Sequence, residues 1–317
     1  MVYRKNRGLI AAPFTPMNSD GTLNLDLISS YAQYLKKSGV KGVFVNGTTG
    51  EGFSLSSEER KKLAESWLQA RQGLNLIVHV TCQSPVESVA LAEHAADIGV
   101  DAIGMAAPSF YTPELEELVG FCREVAGHAP ELPFYYYHIP SKTGTVFSMF
   151  EFIQRAAAKI KSFAGIKFTH YDIMDYQRCL EYAGGRYDIL FGRDEYLLAG
   201  LAVGVQGAIG STYNYAAPLY TRMITAFNEG DLETARRCQT RSHGLVRLLI
   251  EGGNDIACGK AIMKHLGGID CGPCRLPLPL FSEEQERWLR KELQDWKLSC
   301  NGKSCTAYPR GGGGVEQ

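Results

Sequence analysis

Lys167 is the one charged residue in an otherwise apolar run, Phe163-Ala164-Gly165-Ile166-Lys167-Phe168. Burying an ammonium disfavours its charged form and lowers its pKa, and a neutral amine condenses with ketones to a Schiff base. Thirty residues upstream, Tyr137 lies in a second apolar run, Phe134-Tyr135-Tyr136-Tyr137-His138-Ile139-Pro140. That separation is one βα unit, so the two side chains would project from the same ends of neighbouring parallel strands, about 5 Å apart. A lysine beside a phenol points to carbonyl chemistry with proton transfer. Taken alone, Tyr137 reads equally well as a core or interface aromatic.

Three further polar segments follow apolar runs. Gly47-Thr48-Thr49-Gly50-Glu51-Gly52 combines glycines, which permit a tight loop, with two hydroxyls that can hold a small anion such as a carboxylate. It is not a nucleotide P-loop, because no Gly-Lys-Ser/Thr follows, and a purely structural turn explains it as well. Gly192-Arg193-Asp194-Glu195 offers adjacent carboxylates that can accept hydrogen bonds from vicinal hydroxyls, or that simply favour a helix N-terminus through its dipole. Gly210-Ser211-Thr212-Tyr213-Asn214 is the third. Thr169, two residues beyond Lys167, would orient a substrate oxygen or cap the next helix. His138 and His170 receive no catalytic role.

These residues need elements to carry them. Strand-like runs at 9–14, 42–46, 76–80, 102–106, 134–138, 165–168, 189–192 and 204–209 alternate with amphipathic helical stretches. Among the latter are 56–71, opened by a Ser56/Glu59 capping box, and 84–98, with Val86, Val89, Ala90 and His94 on one face. Continuously apolar strands joined by helices indicate a parallel α/β sheet, and eight units in about 225 residues fit a closed (β/α)8 TIM barrel better than an open sheet. The C-terminal end of such a barrel is where all the polar segments above converge. Helices at 216–228, 232–251, 255–266 and 282–296 then form a C-terminal helical extension. The expected organisation is a catalytic barrel over 1–225, a helical extension over 226–298 and a disordered, glycine-rich tail over 299–317.

With 317 residues and a net charge of −1, the chain can bury a large core and lacks the basic bias of a nucleic-acid or membrane-surface protein. No run approaches a membrane span, and the basic start leads into too short an apolar stretch for a signal peptide, so a cytoplasmic location is expected. Nine irregularly spaced cysteines do not make a disulfide framework. Cys271-Gly272-Pro273-Cys274 could be a redox pair or half a zinc site, but without a second pair in a Gly/Pro-rich setting it reads as a loop.

In order and spacing, Gly47-Thr48-Thr49-Gly50-Glu51, Tyr137-His138-Ile139-Pro140 and Gly165-Ile166-Lys167 resemble the pyruvate-dependent class I aldolases, the family of N-acetylneuraminate lyase and dihydrodipicolinate synthase. The likeness runs from about residue 8 to 296, and the 192–195 and 210–214 segments resemble the sialic acid lyase branch. It implies a (β/α)8 barrel, a homotetramer, no metal and no cofactor beyond the Schiff base on Lys167. It also implies roles: Lys167 and Tyr137 catalytic, Thr48 and Thr49 on the pyruvyl carboxylate, and Thr169, Gly192, Asp194, Glu195 and Ser211 on the sugar. The substrate implied is a small keto acid or amino sugar, N-acetylneuraminate being cleaved reversibly to pyruvate and N-acetyl-D-mannosamine.

Two positions depart from the pattern. Lys142 stands where sialic acid lyases carry leucine and dihydrodipicolinate synthases arginine, and a cation there favours a second carboxylate. A related synthase or a 2-keto-3-deoxy sugar acid aldolase is therefore the alternative, with a non-catalytic keto-acid or sugar-binding barrel as the third reading. Phe110, followed by Tyr111, occupies the register where many bacterial members place a tyrosine that reaches a neighbouring subunit.

Overall fold

The computed structural model describes residues 3–298, so the tail expected at 299–317 lies outside the described residues. Eight parallel strands close into a barrel in sequence order: β1 Gly8–Ala11, β2 Gly42–Val45, β3 Asn75–His79, β4 Ala102–Ala106, β5 Phe134–His138, β6 Phe163–Phe168, β7 Asp188–Phe191 and β8 Gly207–Gly210. The connecting helices are α1 Leu27–Lys37, α2 Ser57–Ala70, α3 Pro85–Ile98, α4 Leu115–Gly127, the short α5 Pro140–Thr143, α6 Met149–Lys159, α7 Ile173–Gly185 and α8 Leu197–Ala202. Beyond β8 come α9 Tyr213–Asn228, α10 Leu232–Glu251, α11 Asp255–Gly267 and α12 Glu283–Leu298. This is the expected (β/α)8 barrel followed by helices.

Strand alternation sorts the side chains into two cores. Ile10, Phe44, Ile77, Tyr135, Tyr137, Leu190 and Ile209 fill the barrel, while Val43, Leu76, Ile103, Tyr136, Ile166 and Ile189 join the larger layer beneath the helices. The three consecutive tyrosines split accordingly. Tyr136 faces out and packs on Phe152 at 4.2 Å between ring centres, whereas Tyr135 and Tyr137 point inward. Tyr135 closes the N-terminal end of the barrel by donating to Asp188 Oδ2 at 2.9 Å.

Several expected boundaries move, for local reasons. β1 ends before Pro13, which has no N–H for a ladder. β6 starts at Phe163 because its pairing with β5 slips between Phe134 and Tyr135, leaving Ala164 as the extra residue. At the following position a β-carbon on Gly165 would lie 1.8 Å from the Asp188 carbonyl oxygen. β8 starts at Gly207 rather than 204, since Gly204 (φ +99°) lies in the left-handed region. α9 begins at Tyr213, three residues earlier than expected, with a break at Ala216 ahead of Pro218.

The capping box of α2 is present: Ser56 N donates to Glu59 Oε2 at 2.9 Å and Glu59 N donates to Ser56 Oγ at 3.2 Å. The expected face of α3 packs only in part, with Val89 half-buried against the core. Ser88, Leu91, Ala92 and Ala95 are buried, while Val86 is 75% exposed.

Candidate active site

The pairing of β5 with β6 sets Tyr137 directly opposite Lys167 near the C-terminal end of the barrel. Lys167 Nζ lies 3.8 Å from the centre of the Tyr137 ring and 4.2 Å from that of Phe44, and the residue is 4% exposed. Two opposing effects act on the amine. The ring faces favour the cation, but burial disfavours it more, and with Asp194 only partly offsetting that loss the pKa falls from 10.5 to about 7. A large share of the amine is therefore neutral at physiological pH.

The loop after β2 reaches the same place. Thr48 Oγ1 is 3.4 Å from the Tyr137 hydroxyl, and Thr49 is its neighbour in the turn. Burial pushes the Tyr137 phenol up to about 12, with the Thr48 hydroxyl pulling the other way, so the group is a proton donor at rest. Close packing fixes the loop: a β-carbon on Gly52 would fall 1.9 Å from the Asn46 carbonyl oxygen. Asn46 itself takes a left-handed φ of 62° and donates through Nδ2 to the Arg60 carbonyl at 2.9 Å.

Across the mouth, Gly192 follows β7 and packs against β6, where a β-carbon would sit 2.0 Å from Thr169 Oγ1. Asp194 is 5% exposed and accepts through Oδ2 from Thr212 N at 2.9 Å and Thr212 Oγ1 at 2.6 Å, while its buried Oδ1 has no hydrogen-bond partner among the described residues. Burial raises its pKa to about 6, with Thr212 holding it down and Glu195 adding to the rise. Its carboxylate occupies the space a side chain at Gly210 would need, a β-carbon there lying 1.8 Å from Oδ1. Ser211, half-buried, comes next in the chain. Glu195 Oε1 faces Arg193 Nη1 at 3.4 Å, and the Arg193 guanidinium lies 3.6 Å from the centre of the Tyr171 ring.

Lys167, Tyr137, Thr48, Phe44 and Asp194 are thus tied to one another by direct contact or electrostatics. Thr169, Gly192 and Ser211 lie on the adjoining strand ends, with Thr49 in the loop and Glu195 beside Asp194. Lys142 is exposed on α5 and makes no ion pair among the described residues. Phe110 and Tyr111 are both more than three-quarters exposed and contact each other edge to face. Among the described residues no group of three or more His, Cys, Asp or Glu is placed to hold a metal ion. Cys271 and Cys274 are buried thiols, each raised by burial to about 12.

Sequence reasoning missed several residues at the site. Phe44, whose ring backs Lys167, looks like any other strand hydrophobe. His79 ends β3 with its ring 6.0 Å from that of Tyr137, Nδ1 3.1 Å from the Asn46 carbonyl oxygen and Nε2 3.1 Å from Thr81 Oγ1. Burial, reinforced by the Arg60 and Lys167 cations, depresses its pKa well below the usual histidine range. Its inward register on β3 was the available signal. Arg60 reads as a surface cation in the first turns of α2, yet it is 2% exposed and donates to the carbonyls of His79 at 2.6 Å and Thr81 at 2.8 Å.

Comparison with known proteins agrees with this geometry. Residues 5–296 match the dihydrodipicolinate synthetase family. The chain is 47% identical over 280 residues to N-acetylneuraminate lyase A of Xenopus laevis, covering 87% of this chain and 91% of that one. It is 44% identical over 286 residues to N-acetylneuraminate lyase of Mus musculus, covering 89% of each. Among solved structures, the N-acetylneuraminate lyase of Proteus mirabilis superposes with a TM-score of 0.90 at 42% identity, over 92% of this chain and 99% of that one. A (β/α)8 barrel with a buried lysine facing a tyrosine across β5 and β6, matched over nearly its whole described length, makes the chain a member of the dihydrodipicolinate synthetase family.

Proposed function

We propose that this protein is a class I aldolase that reversibly cleaves N-acetylneuraminate to pyruvate and N-acetyl-D-mannosamine through a Schiff base on Lys167. The observation that carries the reading is the Lys167 amine, buried against Tyr137 and Phe44 and brought to about neutrality. Relatives at 42–47% identity over most of the chain bear the name N-acetylneuraminate lyase.

Neutral Lys167 attacks the C2 ketone of the open-chain sugar, and loss of water leaves a protonated imine beside C3. That imine is the electron sink. As the C3–C4 bond breaks, the C4 hydroxyl gives up its proton and N-acetyl-D-mannosamine leaves as an aldehyde. Resting Tyr137 is protonated, so it accepts that proton only after passing its own to the substrate carboxylate, and takes part as a relay. Protonation of the remaining enamine at C3 and hydrolysis of the imine release pyruvate and restore the amine.

Thr48 and Thr49 hold the carboxylate in this scheme. Asp194, with its unpartnered Oδ1, and Glu195 accept hydrogen bonds from sugar hydroxyls, and Thr169, Gly192 and Ser211 line the same end. The covalent intermediate needs no further cofactor. The reading in which a cation selects a second carboxylate rested on Lys142, which is exposed.

Pyruvate release from N-acetylneuraminate, measured for wild type and Lys167→Ala together, tests the proposal. Wild type is expected to release pyruvate and to form a borohydride-stable adduct on the peptide containing Lys167, and Lys167→Ala to do neither. Normal turnover by Lys167→Ala would end the mechanism. We further propose a cytoplasmic homotetramer in which residues 1–225 carry the chemistry and 226–298 support it. Sedimentation equilibrium checks the assembly, with four chains expected.

A further inference from the structure

We propose that the buried ion pair between Lys260 of α11 and Glu51 is a positioning device that sets the Thr48–Thr49 loop for catalysis. The inference rests on the Schiff-base reading and assigns that site a dependence on the C-terminal helices. Glu51 closes the turn that contains both threonines: its N–H donates to the Thr48 carbonyl at 3.1 Å, and the next residue, Gly52, donates to the Gly47 carbonyl at 3.1 Å. Its backbone takes a left-handed φ of 55°, uncommon for a residue with a β-carbon, so something beyond local preference must hold it there.

The holding contacts come from more than two hundred residues away. Lys260 Nζ lies 2.6 Å from Glu51 Oε1, with the two side chains 4% and 0% exposed. This is an ion pair by distance, although its angles fall outside those of a hydrogen bond. Lys260 Nζ also donates to the Pro273 carbonyl at 2.7 Å, and Arg275 N donates to Glu51 Oε2 at 2.8 Å. The Arg275 guanidinium then reaches Ser54 O at 3.0 Å and both Glu59 carboxylate oxygens at 2.8 Å, clamping the far side of the same loop.

Replacing a buried pair with apolar groups of similar volume is often neutral or stabilising, so stability alone is a weak reason for its presence. Geometry supplies a stronger one. Thr48, three residues before Glu51, is the loop's contact with the Tyr137 hydroxyl. A loop released by even a fraction of an ångström would lose that contact and its grip on the carboxylate together.

The experiment compares wild type, Glu51→Gln, Lys260→Met and the double variant Glu51→Gln/Lys260→Met. Thermal stability, KM for pyruvate in the condensation direction, kcat and borohydride trapping with pyruvate at saturation are read for each. Each single variant is expected to leave a charge buried and to melt lower. The double variant removes both charges and is expected to regain most of that stability, while KM for pyruvate stays raised about tenfold and trapping at saturation persists. A double variant with wild-type KM and kcat would show the pair to be structural only and overturn the inference. So would a set in which only melting temperature changes. Absence of any adduct in wild type is a different failure, that of the Schiff-base reading itself. Should the double variant not fold, Glu51→Gln alone, which removes one member of the pair and keeps a side chain of the same shape, provides the same KM test: a KM for pyruvate raised about tenfold supports the inference, and a wild-type KM overturns it.

Discussion

At the scale of single residues, desolvation decides the chemistry. Lys167 loses its charge more readily than a surface lysine because aromatic rings replace its water, and Asp194 restrains the fall. The sign of the pH dependence follows. Below about pH 7 the amine is protonated and cannot attack, so kcat/KM is expected to decline on the acid side with a limb near 7. In Asp194→Asn the stabilising carboxylate is gone, the lysine pKa drops further, and the limb moves to lower pH even as the maximal rate falls. A limb that stays put or moves to higher pH would show that Asp194 does not support the Lys167 cation. Tyr137→Phe is expected to lower kcat by about 10²–10⁴-fold while borohydride still traps pyruvate on Lys167, because the phenol acts on protons and not on the amine.

Lys167 and Tyr137 were legible in sequence because a lone charge in an apolar strand violates a simple rule, and one βα repeat connects the pair. Phe44 breaks no rule, so its place behind the amine emerges only when β2 is brought round the barrel. Glu51 was visible as part of a glycine-rich segment, but the cation that fixes it lies far down the chain.

At the scale of elements, the barrel offers short strand ends and lets loops approach closely. Gly52 is the sharpest case, since its missing side chain leaves room for the Asn46 carbonyl. Gly52→Ala must push the loop away from β2, and an increase in KM for pyruvate of tenfold or more is expected, with a lower melting temperature. Unchanged KM would mean that the loop relaxes without moving its threonines. Element type was largely readable from alternation, and the Ser56/Glu59 capping box located the start of α2. The packed face of α3 was not, because Ser88 at its centre is polar while Val86 on the other side is exposed, and a hydrophobicity pattern ranks those two in the wrong order. Strand ends failed where backbone geometry overrode composition, as at Gly204 and Pro13.

For the molecule as a whole, a buried amine is a liability that the rest of the fold offsets. With a native pKa near 7 against 10.5 for a free lysine, the unfolded chain binds more protons between those limits. Stability from this group therefore rises with pH across that window, and the full cost is present below pH 7. Lys167→Met, of similar length without the charge, is expected to be inactive and more stable than wild type by a few kcal/mol near neutral pH. Matching melting temperatures for the two proteins would show the amine to be better solvated than its surroundings indicate.

The tie between the loop after β2 and α11 also has a consequence in time. During synthesis all eight strands exist once Gly210 has been made, but Lys260 and Arg275 are still to come. Borohydride trapping on stalled ribosome-bound chains of increasing length would date the step at which pyruvate is first captured well. If the pair positions the loop, a growing chain that already holds all eight strand segments still lacks the contacts that set its keto-acid pocket, and it captures pyruvate well only after Lys260 and Arg275 have been added.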